Sequence, residues 1–467
     1  MKKLLAILLL TSALAACVSA PSTTPSEVAL KPEALGLGAT QTPRIADDWW
    51  KAFGDPQLDS LVDQALKGNP SLASALARLR AAQSQLSASR AATYPQVTLD
   101  GNETRERFSG DYIYPPPYGG TMRWIGTVQA NLSWSLDLFG KEQAGIDRAS
   151  ATAKAAGLDA TAARLLLAGS VTQSYIALSR AYALIDTAEE AVKQREGVYA
   201  LTGGRVRAGL DTLASQKQAE ALLAMAREDL ILAKANRDIA VHQIAALMGR
   251  GADAYAITRP KLNDAALALP DTLPADLLAR RADIAAAQAR IEAAFSGREV
   301  ARKAFYPDVN LLGLAGWAAI GLSPMFSSAA QQYGAGAAIH LPIFDAGALR
   351  AQFAGATADL DQSVADYNQA VVNAVKQTSD SITQLRSIQD QAAQQRTALS
   401  AAQTSFDLAV KRYRSGLNPQ QNALDAQAIL IQAQRQWAAL SADTASARVS
   451  LLMALGGGFH ASQDDTK

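Results

Sequence analysis

Three histidines, one cysteine and scattered carboxylates are the groups this 467-residue chain offers for chemistry, and their positions argue against any. His242, His340 and His460 are far apart and fall on a helical stretch, a strand and the tail, so packed or solvated imidazole explains them better than a metal site. Gly36-Leu37-Gly38 and Gly334-Ala335-Gly336 lack the strand-to-helix setting of a phosphate-cradling loop. No nucleophile and base are spaced to work together, so no catalytic residue, metal or cofactor is expected. Two cation-rich turns stand out instead: Arg205-Val206-Arg207-Ala208-Gly209-Leu210 and Arg412-Tyr413-Arg414-Ser415-Gly416-Leu417. In each, glycine permits the left-handed conformation that reverses a chain, and arginine complements the dipole at a helix C-terminus.

The elements that carry these turns come twice. Strict apolar alternation from Trp124 to Leu138 predicts a strand with one greasy face. At Gly140 the period changes, and a Pro-free segment with Val171, Tyr175, Leu178, Tyr182 and Ile185 at helical spacing follows. It is expected to break at Gly203-Gly204 and Gly209-Leu210, and a second helix to run from about Asp211 to Leu247. Before the strand, a helix starting near Leu58 pauses at Gly68-Asn69-Pro70 and ends at Tyr94-Pro95. A short alternation at Val97 and Leu99 then completes a hairpin with a Pro/Tyr-rich tip. The second half repeats this order: a helix from about Asp276 to Tyr306-Pro307, strands over Val309 to Ala319 and Gln332 to Ile343, then long helices from Gly347 on either side of Gly416-Leu417. Gly140 and Gly347, Arg205 and Arg412, Gly209 and Gly416, and Gly249 and Gly456 are all separated by 207 positions. The spacing reads as an internal duplication.

Composition sets bounds on partners. A net charge of +1 and 19% charged residues give no electrostatic case for nucleic acid. Lys2-Lys3, an apolar run and then Leu14-Ala15-Ala16-Cys17 predict a secretion signal over 1–16 whose end resembles a bacterial lipobox; the alternative is an ordinary signal peptide with an incidental cysteine. Because Cys17 is the sole cysteine, disulfides and thiolate metal sites are excluded, and its predicted role is lipidation, with Val18 favouring the outer membrane. The expected organisation is a tether over 17–45, a first repeat over 46–250, a connector over 251–275, a second repeat over 276–457 and a polar tail over 458–467.

Geometry then forces an assembly. A helix of about sixty residues is ~90 Å long and must pack beside others. Past the signal no run approaches the ~18–20 apolar residues of a spanning helix, so any crossing falls to the strands. Open sheet edges cannot sit in lipid, and a closed transmembrane barrel needs at least ~8 strands. One chain supplies four. The predicted fold is therefore an α+β membrane protein: a transmembrane β-barrel shared between copies and continued by a long periplasmic α-helical barrel. Tyr94, Trp124, Trp134, Tyr306, Trp317, Tyr333 and Phe344 suit interface girdles or ordinary strand packing.

On Trp49 through Leu58, Tyr94-Pro95 with Val97, Trp134 to Gly140, Leu277 to Ile284, Leu341-Pro342-Ile343-Phe344, and Arg412 to Leu417 with Leu424-Asp425-Ala426-Gln427, the sequence resembles TolC-like outer-membrane efflux factors. It is most similar to the NodT-type lipoproteins that serve resistance-nodulation-division (RND) pumps. Ala282 departs from the proline usual at the start of its helix. The resemblance implies a homotrimer with a twelve-stranded barrel and a twelve-helix tunnel closed at its far end. It also implies that the tips, Arg205, Arg207, Gly209, Leu210, Arg412, Tyr413, Gly416 and Leu417, meet a periplasmic adaptor. Asp425 matches an acidic position lining the closed aperture, with Asn422 where some relatives have a second acid and Gln421 where some have an apolar constriction; a solvated helix residue is the alternative for Asp425. The expected function is a passive exit duct for drugs or other small molecules. Competing expectations are the same duct for a secreted polypeptide or metal ion, and a periplasmic coiled-coil lipoprotein without a pore.

Overall fold

The computed structural model describes residues 23–31, 35, 37, 45–111, 113, 116–263 and 277–459. The predicted signal segment, Cys17, most of the tether, part of the connector, His460 and most of the tail lie outside them. The described residues form seven α-helices and four β-strands. In chain order these are α1 (Pro56–Gly68), α2 (Pro70–Ala91), β1 (Gln96–Arg107), β2 (Met122–Leu136), α3 (Lys141–Arg207), α4 (Leu213–Leu247), α5 (Ala282–Lys303), β3 (Asp308–Ile320), β4 (Gln331–His340), α6 (Ala348–Arg414) and α7 (Gln420–Ala454). Helices α3 and α6 each have 67 residues, and α4 and α7 each have 35.

The chain divides into two compact units. One holds the described residues of 1–29, 78–156 and 287–367 and contains the sheet. Its strands are antiparallel in the order β1-β2-β3-β4, leaving β1 and β4 as edges. Register decides what each face carries. Directly opposed residues share a face, so Val97 and Leu99 align with Leu132 and Ala130, these with Gly313 and Ala315, and those with Ala335 and Tyr333. Trp124, Val128, Trp134, Leu311, Trp317 and Ile339 fall on the same apolar face. The opposite face is mostly polar on β1 and β2. There a row of side chains links three strands: Asn131 Nδ2 donates to Asp100 Oδ2 (2.7 Å), Gln129 Nε2 to Asn131 Oδ1 (2.9 Å) and Gln332 Nε2 to Gln129 Oε1 (2.8 Å). The last link passes over β3 at Gly316, where a Cβ would lie 2.2 Å from the Val128 carbonyl oxygen.

Strands hand over to helices through matching joints. Asp137 accepts from the backbone N–H groups of Glu142 and Gln143 (3.1 and 2.8 Å), and Asp345 from those of Gly347 and Leu349 (3.0 and 2.6 Å). Each carboxylate thus satisfies amide donors that the first helical turn leaves open. These joints shorten two expected strands: β2 stops at Leu136 rather than Leu138, and β4 stops at His340, ahead of Pro342, which has no N–H to donate.

The other unit holds the described residues of 30–77, 157–286 and 368–467. Its largest core joins Trp49, Trp50 and Phe53 with Leu58, Leu61 and Val62 of α1, Val171, Tyr175 and Leu178 of α3, Ile244 of α4 and Leu452 of α7. Asp55 caps α1 by accepting from the Gln57 N–H (3.0 Å), and it also takes the Tyr175 hydroxyl and the Lys261 N–H at 2.7 Å each. Burial opposes ionisation of Asp55, but those donors together hold its carboxyl below the usual value. Helix α5 starts at Ala282, the position where the resembling family carries proline.

One expectation about α3 fails. The helix does not break at Gly203-Gly204 but runs through to Arg207. Gly203 is buried, and a Cβ there would meet the Gln216 side chain at 3.4 Å, an ordinary contact, while one on Gly204 would meet open space. The helical ladder continues because nothing forces these residues out of αR.

Candidate functional site

The hairpin tips, all within the second unit, hold a polar network of their own. Both chain reversals are built alike. The Leu210 N–H donates to the Arg205 carbonyl (2.9 Å) and the Gly209 N–H to that of Val206 (3.0 Å); Leu417 and Gly416 repeat this with Arg412 (2.8 Å) and Tyr413 (3.0 Å). Gly209 and Gly416 both have φ of +71°. This paired closure ends a helix while satisfying its last carbonyls, and it requires a left-handed residue that glycine supplies without strain. Thr212 then caps α4 by accepting from the Ser215 N–H at 3.1 Å.

The side chains of the two tips differ. Arg205 of the first tip lies over the Tyr413 ring of the second, 4.8 Å from Cζ to the ring centre, and donates to the carbonyls of Tyr413 and Leu210 (3.3 Å each). Its Nε is 3.5 Å from Asp211 Oδ2. Tyr413, only 1% exposed, donates its hydroxyl to Asp211 Oδ2 at 2.7 Å and sits 3.2 Å from Thr202 Oγ1, which accepts from Gln420 Nε2 at 2.8 Å. Burial would raise the Asp211 carboxyl, but donors from Tyr413, Ser215, Thr212 and Arg205 outweigh it and hold it below the ordinary value. Burial first, and then the Asp211 carboxylate, push the Tyr413 phenol up. The result ties one tip to the other through a neutral phenol, an ionised carboxylate and a guanidinium.

Thus Arg205 and Tyr413 meet inside the tip, whereas Arg207 and Arg412 are exposed at its surface. Leu210 and Leu417 project there too, 65% and 69% exposed. Asp425, Asn422 and Gln421 are all exposed on α7. Gln421 Nε2 donates to Asp425 Oδ1 (2.7 Å), and Gln218 Nε2 of α4 donates to Gln421 Oε1 (3.3 Å). Asp211, Thr202 and Gln420 escaped sequence reasoning because their partners lie some two hundred positions away. An Asp-Thr pair directly after Gly-Leu is the one local signal that a capped reversal stands there.

Elsewhere, the His242 ring lies against Tyr255, 4.3 Å between ring centres and tilted by 35°, and His340 ends β4. Among the described residues no group of three or more His, Cys, Asp or Glu is placed to hold a metal ion. Nor is any described helix long and apolar enough to cross a membrane, which says nothing of strands.

Comparison with known proteins places this geometry. The fusaric acid resistance protein FusA of Burkholderia cepacia is 36% identical over 369 residues, covering 76% of this chain and 69% of that protein. The putative multidrug resistance outer membrane protein MdtQ of Escherichia coli strain K12 is 29% identical over 419 residues, 88% of each. The crystal structure of the outer membrane protein VceC from Vibrio cholerae superposes with a TM-score of 0.84 at 32% identity, covering 90% of this chain and all of that one. The family model described as outer membrane efflux protein matches residues 61–250 and 273–457. With strands of one apolar face, paired long helices and that match over most of its length, the chain belongs to the outer membrane efflux protein family.

Proposed function

We propose that three copies join their sheets edge to edge into one twelve-stranded barrel across the outer membrane, and that their helices prolong it as a periplasmic tunnel. The tunnel passively conducts drugs or other small molecules to the exterior. They arrive from an inner-membrane RND transporter through a periplasmic adaptor. The observation that carries this is the sheet: its register gathers the apolar residues on one face while β1 and β4 keep unpaired edges. Lipid tolerates such a face and forbids such edges, so closure has to come from further copies. Trp124 and Trp134 of β2, ten positions apart, bracket the apolar stretch. That is ~33 Å along a strand, or ~25 Å of height at a tilt of ~40°, the depth of an aromatic-girdled membrane band.

Equal lengths of α3 and α6 and of α4 and α7, and the two stretches matched by the family model, support two structural repeats per chain. At the far end, the exposed Arg207, Arg412, Leu210 and Leu417 form the surface offered to the adaptor. Arg205 and Tyr413 hold that surface in shape, with Gly209 and Gly416 making the turns. Three copies of Asp425, flanked by Gln421 and Asn422, ring the closed aperture, where like charges repel and cations are drawn in. Cys17 is the acylated anchor. That FusA and MdtQ are named for resistance to fusaric acid and to multiple drugs supports small-molecule cargo.

Deleting the gene should sensitise the host to members of a compound panel, and a plasmid copy should restore resistance. The purified protein should give discrete conductance steps in planar bilayers. Unchanged susceptibility together with silent bilayers overturns the proposal.

A further inference from the structure

The sheet end opposite the helices carries two guanidinium groups that conduction does not use. Arg105 and Arg107, the second from last and the last described positions on their face of β1, pair with Trp124 and Met122 of β2 and so stand on the apolar face. Both are exposed, and among the described residues neither side chain forms an ion pair or hydrogen bond; Arg105 lies 5.8 Å from the Trp124 ring centre. Arg123 behaves differently. It stands on the other face, donates Nε to Thr121 Oγ1 (3.3 Å) and lies over Tyr118. Glu103, opposite Gly126, is the acid on the apolar face nearest the pair, two positions from Arg105 on the side away from the loop.

Height along the strand places the pair. All four strands join helices at one end, while residues 108–121 and 321–330 connect them at the other. If the helices are periplasmic, as the proposed function has it, the loop end faces outward. Trp124 marks the outer rim of the apolar band, so Arg105 sits at that rim and Arg107 one pair beyond it, in the headgroup layer. Two cations there, ~7 Å apart along the strand, face the membrane rather than the pore, and neither is ion-paired among the described residues of the chain. A guanidinium fork matches phosphate in two-point geometry and charge. We propose that Arg105 and Arg107 form a binding site for the phosphate of a phosphorylated lipid headgroup in the outer leaflet, with Trp124 packing beside it.

The inference rests on the proposed membrane orientation, and the test separates the two. The purified full-length protein in detergent is titrated with bisphosphorylated lipid A and with the same lipid stripped of its phosphates, bound lipid being read by native mass spectrometry. The wild type should retain the phosphorylated form preferentially. The Arg105→Gln/Arg107→Gln variant should bind it about tenfold or more weakly, the loss expected when charge-assisted hydrogen bonds go. Arg123→Gln should bind as the wild type does, and Arg105→Lys/Arg107→Lys should keep much of the affinity. Conductance is recorded on the same samples. Unchanged affinity in the glutamine variant, or equal binding of both lipids, overturns the site while leaving the conduit intact; a wild type that never conducts overturns the orientation itself. Should the double variant not assemble, Arg107→Gln alone, at the strand's end, gives the same reading.

Discussion

Replacing Tyr413 with phenylalanine isolates the tie between the two hairpin tips. The ring stays over Arg205 and the buried volume is kept, so the hydroxyl alone is lost. That hydroxyl donates to the Asp211 carboxylate at 2.7 Å, and a hydrogen bond to a charged group contributes ~1.5–3 kcal/mol. Asp211 retains the Thr212 N–H at 3.0 Å and Arg205 nearby, which argues for the lower end, ~1.5 kcal/mol, or roughly tenfold more frequent opening of the tip. Amide hydrogen exchange reads this directly at Leu210 and Leu417, whose N–H groups close the two reversals. Acid should give the complementary result. Asp211 is depressed in the folded state, so its stabilisation is complete above the ordinary value of 3.8 and disappears as pH falls below it through the lower folded value. Protection in the wild type should therefore drop in that window, and less so in Tyr413→Phe, which has already lost its largest donor to that carboxylate. Equal exchange in the two proteins, with equal acid response, refutes the tie.

Three further outcomes follow from named contacts. Asp425→Ala removes the carboxylate that draws cations to the aperture and accepts from Gln421, and should weaken cation block in single-channel recordings; unchanged block counts against its role. Tyr175→Phe removes a 2.7 Å bond to the buried Asp55 and should cost ~1.5–3 kcal/mol in denaturant midpoint measurements, with no change in channel selectivity. Gly316→Ala places a methyl 2.2 Å from the Val128 carbonyl oxygen and 2.5 Å from Gln129 Cα, so β2 and β3 should separate. Loss of heat-modifiable gel migration would report that, and normal migration would contradict it.

Much of this architecture is legible in the sequence because its signals are local. Alternation marks β2 and β3, helical spacing and absent proline mark α3 and α6, and Gly-Leu marks both reversals. Gly203-Gly204 misleads because glycine permits a break without requiring one. The tip tie and the Asp100-Asn131-Gln129-Gln332 row escape because each depends on register between distant segments. Arg205 and Arg412 look equivalent in the duplicated pattern, yet only Arg205 finds an aromatic ring and a carboxylate. Repetition of a motif does not repeat its surroundings.

The central claim is that one chain's four strands are an incomplete barrel that other copies close. Measuring the mass of the purified protein in detergent, with conductance recorded from the same fraction, tests it most directly. The account predicts a particle of three chains that conducts. A stable monomer that forms no channel contradicts it.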